Sequence, residues 1–143
     1  MLPHSIIRPA GPEDAAALQT LYRTSLEEAS WVPPGSEPDP DFVAASKGEK
    51  VFVCVSAEGD LMGLVGVWEP ESFVHHLYVA ARFQRQGVGT ALLDALEGWL
   101  PKPWRLKCVQ ANHQALAFYH ASGFRAIKTG QGRHGAYLLM EKG

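Results

Sequence analysis

The stretch with the most chemistry in it runs Leu77-Tyr78-Val79-Ala80-Ala81-Arg82-Phe83-Gln84-Arg85-Gln86-Gly87-Val88-Gly89-Thr90. An apolar strand feeds a short polar loop, and two glycines spaced by one residue stand at a helix start. A helix N-terminus offers unpaired N–H groups and roughly half a unit of positive charge. Glycines there let the backbone approach an anion closely, so a phosphate or pyrophosphate is the natural guest. Arg85 adds a charge-assisted donor. No Gly-Lys-Ser/Thr follows and the full G-x-G-x-x-G is missing, which disfavours a nucleotide triphosphatase and a dinucleotide oxidoreductase. The alternative is a glycine turn that only packs a helix on a sheet.

A second group lies on Asn112-His113-Gln114-Ala115-Leu116-Ala117-Phe118-Tyr119-His120-Ala121-Ser122-Gly123-Phe124. Asn112 and Tyr119 are two helical turns apart and project from nearly one face. Taken singly, Asn112 reads as an N-cap and Tyr119 as an amphipathic core residue. Within the strand that leads to the glycines, just before Leu77, stand two histidines. Period-two alternation puts Phe73, His75, Leu77 and Val79 on one face, and Val74, His76 and Tyr78 on the other.

These residues need a scaffold, and the chain has the means to build one. Its 143 residues suit one compact domain, 1–143, with 46% hydrophobic and 20% charged residues. A net charge of −2 gives no electrostatic case for nucleic-acid binding. Cys54 and Cys108 show neither C-x-x-C nor zinc-type spacing, so they are expected as reduced core thiols with no metal site. No leader pattern and no 18-residue apolar run is present, so the expectation is a cytoplasmic protein without a membrane partner.

Periodicity and turn residues predict a strand over Ser5 to Arg8 and a helix opened by Gly11-Pro12-Glu13-Asp14 that runs to about residue 29. Pro33, Pro34, Pro38 and Pro40 exclude regular structure between Ser30 and Asp41, and a short helix follows over Asp41 to Ser46. Strands over 51–55, 61–68 and 73–79 form an antiparallel meander, with Gly63 and Gly66 marking bulges or close packing. Then come a helix from Gly87 to about Trp99, a strand over 104–109 and a helix over 112–122 stopped by Gly123. Strands over 124–128 and 136–140 flank a glycine-rich loop, Gly130 to Gly135. The class is α+β: a mixed, mostly antiparallel sheet of about seven strands flanked by about four helices.

The run Gln84-Arg85-Gln86-Gly87-Val88-Gly89 after Leu77-Tyr78-Val79 resembles the Q/R-x-x-G-x-G/A signature of the GCN5-related N-acetyltransferase (GNAT) superfamily. Asn112 to Phe124 is similar to that family's N-x-x-A-x-x-F-Y-x-x-x-G-F segment, and the order of elements is similar along the whole chain. The resemblance implies an acetyl-CoA-dependent N-acetyltransferase. By it, the backbone of Leu77, Tyr78 and Val79 pairs with the pantetheine arm. Gln84, Arg85, Gln86, Gly87, Val88, Gly89 and Thr90 hold the pyrophosphate, Asn112 contacts the cofactor arm, and Tyr119 protonates the departing thiolate.

The implied reaction is direct attack of an amine on the thioester, because neither cysteine has an activating partner evident in sequence. An amine of pKa about 10.4 is neutral in roughly one molecule in 2,500 at pH 7, a cost of about 4.6 kcal/mol. His75, two residues before the cofactor-pairing segment, is the candidate base. The alternatives are a packed His75, His76, Glu69 or Glu71. Trp31 in the Pro-rich segment, with Arg133 and His134, matches places where family members build the acceptor site. A small-molecule amine is the expected partner; a protein α-amine or lysine, or a non-catalytic acyl-CoA-binding module, are the alternatives. Trp68, Trp99 and Trp104 fit either a core or a homodimer contact.

Overall fold

A computed structural model describes residues 5–28, 41–132 and 135–143. The elements are β1 (Ser5–Pro9), α1 (Ala15–Glu27), α2 (Phe42–Ala45), β2 (Lys50–Ser56), β3 (Leu61–Trp68), β4 (Phe73–Val79), α3 (Val88–Asp94), β5 (Trp104–Val109), α4 (His113–Ala121), β6 (Arg125–Gly132) and β7 (Gly135–Lys142). Short 3-10 turns at Pro12–Asp14, Glu69–Glu71 and Ala81–Phe83 join them. The strands form one sheet in the order β1-β2-β3-β4-β5-β7-β6. Among the described residues only β4 and β5 run parallel; the other neighbours are antiparallel. This is the expected α+β architecture of seven strands and four helices.

Alternation along the strands supplies two apolar layers. Val53 and Leu64 pack with Leu18 and Leu21 of α1 and Phe42 of α2. Their neighbours Cys54 and Val65 join Leu92 and Leu96, together with Trp104, Leu106 and Met140. Leu64, Leu92, Leu96 and Leu106 are fully buried, each stabilising by about 1.5–3 kcal/mol relative to exposure. The start of α1 is pinned by Asp14. Its carboxylate takes two bonds from Arg8 (2.7 and 2.9 Å) and one from the Gly11 N–H (2.7 Å). Among the described residues no helix is long and apolar enough to cross a membrane.

Three details differ from the period-based expectation. Regular helix ends at Asp94, and the chain reaches Trp99 through tighter turns in which Leu96 and Glu97 donate to the Leu93 and Asp94 carbonyls. Leu96, Leu100 and Trp99 still pack into the core. Second, β6 and β7 pair as far as Gly132↔Gly135, so most of the glycine-rich segment is strand. Gly130 is needed there because the Tyr137 ring lies where its Cβ would be.

The third difference is in β4. Its register against β3 slips between Gly66↔His76 and Val67↔Val74, which leaves His75 as an extra residue. Such a bulge breaks the two-residue period. Val74 therefore joins the core layer of Leu77 and Val79, and is not on a face with His76 and Tyr78 as strict alternation requires. Of the tryptophans, Trp104 is core, Trp99 packs on Phe52 at 5.4 Å between ring centroids, and Trp68 is partly exposed.

Candidate active site

Parallel pairing of β4 with β5 is confined to Phe73↔Arg105, with the Arg105 N–H donating to the Ser72 carbonyl at 3.1 Å. Beyond that point the two strands have no paired residues among those described. Ala80 N–H donates to the Met62 carbonyl (2.9 Å), and Tyr78 stands opposite Leu64. Antiparallel alternation then turns the backbone groups of Leu77 and Val79 away from β3, toward the gap. The Gln84 side-chain amide donates to the Val79 carbonyl at 3.2 Å and so ties the following loop to this strand.

That loop is held in an unusual shape. Arg85 and Gly87 both take left-handed backbone angles, φ 63° and 88°. For a residue with a Cβ, such as Arg85, this costs roughly 1–3 kcal/mol. Gln86 braces the loop through its side-chain amide, which donates to the Arg82 carbonyl at 3.1 Å. Gly87 caps α3 without a side-chain bond, and the first intrahelical bond runs from the Ala91 N–H to its carbonyl. The N–H groups of Val88, Gly89 and Thr90 precede that bond and have no intrahelical acceptor. Val88 is buried as an anchor, while Gln84, Arg85, Gln86, Gly87 and Thr90 are exposed. Gly89 has a packing reason besides any ligand: a Cβ would sit 3.0 Å from the Phe118 ring of α4.

On α4, Asn112 is the N-cap, its side-chain oxygen accepting from the Ala115 N–H at 3.3 Å. That leaves its amide NH₂ without a protein partner among the described residues. Tyr119 packs edge-on against Phe118 and Phe124, with centroids 5.4 and 5.6 Å apart. Burial raises its phenol well above the usual range, and the neighbouring Cys108 of β5 and Tyr78 of β4 add to the effect. A tyrosine so placed keeps its proton at neutral pH. Burial also pushes the Cys108 thiol up to about 11 and raises Cys54, so both are poor nucleophiles.

The bulge in β4 turns both histidines toward Glu49. His75 Nδ1 pairs with Glu49 Oε2, and His76 Nδ1 with Oε1 at 3.0 Å. The side chains of Glu49 and His76 are 4% and 5% exposed, that of His75 50%. His76 is walled by the rings of Tyr22, Phe42 and Tyr78 at 5.4–5.9 Å. Burial alone would raise the Glu49 carboxyl, but its bonds to His75 and His76 outweigh that and hold it at about 2. Gly66 makes the space, since a Cβ there would lie 2.6 Å from Glu49 Oε1. Among the described residues Glu49, His75 and His76 also form a group whose ligand atoms lie within 4.8 Å of one another, close enough to hold a metal ion.

A model of the Acetyltransferase (GNAT) family matches residues 16–124. The chain belongs to the GNAT acetyltransferase family. Solved structures of the same fold include Ard1 from Thermoplasma volcanium, at TM-score 0.77 and 22% identity over 97% of each chain. Another is yncA, a putative acetyltransferase from Salmonella typhimurium solved with acetyl-CoA, at TM-score 0.74 and 19% identity over 96% of this chain and 92% of that one. A third is a mutant of the spermidine N-acetyltransferase SpeG from Vibrio cholerae, at 0.71 and 16% over 96% and 92%.

In this GNAT chain the sequence-picked residues fall into two groups. Leu77, Val79 and Gln84 through Thr90 line one continuous track along β4 and the start of α3, with Tyr119 packed in the same core layer. His75 is not on that layer; the bulge places it beside His76. Of the other base candidates, Glu69 is exposed and pairs with Lys50 at 3.6 Å, and Glu71 is exposed at the same turn. Trp31, Arg133 and His134 lie outside the described residues. Glu49 was missed by the sequence reading. Its only signal was Gly66, a strand glycine with no turn to explain it.

Proposed function

We propose that this GNAT acetyltransferase moves an acetyl group from acetyl-CoA directly to a primary amine of a small molecule. The observation that supports this most is the opening of β4 from β5 beside a glycine loop and a partly buried Tyr119 whose phenol is held protonated. The residues present fit acetyl-CoA. The Leu77 backbone and the Val79 N–H offer strand-like partners for the pantetheine amides, with Tyr78 anchoring the strand to β3 between them. The Gln84, Arg85, Gln86 and Gly87 loop and the N–H groups of Val88, Gly89 and Thr90 suit a pyrophosphate. The Asn112 amide NH₂, which has no partner among the described residues, suits the cofactor arm.

When bound, acetyl-CoA supplies an activated acyl thioester. The chain supplies the proton traffic. Tyr119 holds a proton at Oη for the departing thiolate, a contribution of order 10²–10⁴-fold. His75, on the α1–α2 side of the sheet, accepts the proton that the amine must lose. With both thiols held protonated, an acyl-cysteine intermediate has no nucleophile, which favours direct transfer. Acetylation of spermidine by SpeG, which shares the fold, supports an amine acceptor. The reading is tested by calorimetry with acetyl-CoA, then thiol release across primary amines and short peptides. Binding together with release that depends on a small amine is expected. Release only with peptides overturns the small-molecule assignment, and no binding overturns the cofactor track.

A further inference from the structure

We propose that Glu49 is a positioning residue: it fixes the proton of His75 at Nδ1 and thereby presents Nε2 as the acceptor of the amine proton. The inference rests on the reading of His75 as the base given above, and it adds a residue outside both family signatures.

A carboxylate is acceptor-only. Glu49, buried and bonded to both histidines, is ionised at neutral pH, so each ring nitrogen that meets it carries hydrogen. In a neutral imidazole the other nitrogen then holds the lone pair. For His75 that nitrogen belongs to a half-exposed ring on β4; for His76 it belongs to a ring enclosed by Tyr22, Phe42 and Tyr78. The two histidines therefore divide the work. His76 locks one carboxylate oxygen in place, and the second oxygen orients His75. In the transfer step the amine lone pair forms the N–C bond to the acyl carbon, an N–H bond breaks and its proton forms the Nε2–H bond of His75, and the C–S bond breaks with its electron pair leaving on sulfur, which takes the Tyr119 proton; exchange through water then returns a proton from His75 to Tyr119.

Three features show that the arrangement is built. Gly66 vacates the volume that Glu49 Oε1 occupies. The β4 bulge lies at the same register position and turns two consecutive side chains to one carboxylate. The buried carboxylate is satisfied by two charge-assisted bonds, without which it would be costly to bury. A metal ion at the same three side chains is the competing use. It requires lone pairs on the nitrogens that face Glu49, whereas a hydrogen bond on each separate oxygen requires protons there.

The test uses the full chain labelled with ¹⁵N-histidine, at a pH where the imidazoles are neutral. Long-range ¹H–¹⁵N imidazole spectra, assigned by comparison with His75→Gln, report which nitrogen of His75 is protonated. Wild type is expected to show the Nδ1–H form, and Glu49→Gln to lose that preference. With acetyl-CoA and the most active amine of the panel, Glu49→Gln is expected to lower kcat by at most the roughly 10²–10⁴-fold that a positioned base contributes, with KM for acetyl-CoA much less changed. Adding Glu49→Gln to His75→Gln should cost no further activity, because Glu49 acts only through His75. An Nε2–H form in wild type overturns the proposal, as does an additive loss in the double variant or a stoichiometric metal ion in the purified protein. The wild-type spectrum needs neither a folded variant nor a known acceptor. It can therefore fail while the acetyltransferase reading stands, and the reverse also holds.

Discussion

The Glu49 cluster should govern how stability depends on pH, whatever the acceptor amine is. The carboxyl is held at about 2 instead of its ordinary 4.5. At about 1.4 kcal/mol per tenfold in proton affinity, that difference is worth about 3 kcal/mol to the folded chain. The sign follows from the direction. A depressed carboxyl stabilises fully above its unfolded value and loses that contribution as pH falls through its folded value. Wild type and Glu49→Gln should therefore differ by about 3 kcal/mol more near pH 6 than at pH 2, with about a third of that remaining at pH 3. Urea unfolding at pH 6, 5, 4 and 3 measures this, because any fixed cost of the glutamine cancels from the pH dependence. A difference between the two proteins that stays constant from pH 6 to pH 3 would mean that the Glu49 carboxyl is not held below its ordinary value in the folded chain.

Other substitutions probe the neighbouring contacts. Gly66→Ala places a Cβ 2.6 Å from Glu49 Oε1 and should cost about 2–3 kcal/mol by displacing a buried carboxylate. The loss, read by thermal unfolding, should shrink in a Glu49→Ala background where the space is vacated; an equal loss in both argues that Gly66 matters for another reason. Tyr119→Phe removes one hydroxyl and should lower kcat by about 10²-fold or more, with acetyl-CoA affinity by calorimetry nearly unchanged. An unaltered kcat removes Tyr119 from the proton path. Gly89→Leu must push Phe118, whose ring would lie 3.0 Å from the new Cβ, so both acetyl-CoA affinity and melting temperature should fall. A lower melting temperature with wild-type affinity would leave Gly89 a packing residue only.

Most of the elements were legible because the cues act locally. Pro12, the acids beside it and the Leu18/Leu21 spacing announce α1, and Gly123 stops α4 just beyond Ala121. The glycine turn between β4 and α3 was legible as a turn, since Gly87 follows the apolar strand at a helix start and takes a left-handed φ of 88° there. The face of His75 was not, because it is set across the sheet. Alternation is counted along one strand, but the bulge that shifts His75 arises from pairing with β3 at Gly66. Glu49 was hidden for a similar reason. Nothing local separates it from its charged neighbours Lys47 and Lys50, and only the fold carries His75 and His76 to it from 26 and 27 residues away. Likewise the left-handed Arg85 is dictated by closure of the loop onto α3, not by its own preference.

Transfer of an acetyl group from acetyl-CoA to an amine is tested by the mass of the amine after incubation with acetyl-CoA and the full chain. A product heavier by one acetyl group is expected, formed at a rate that falls in Tyr119→Phe, with the protein itself never carrying the acetyl group. Acetyl found on Cys54 or Cys108 during turnover, or no acetylated amine from any member of a broad panel despite bound acetyl-CoA, would contradict it.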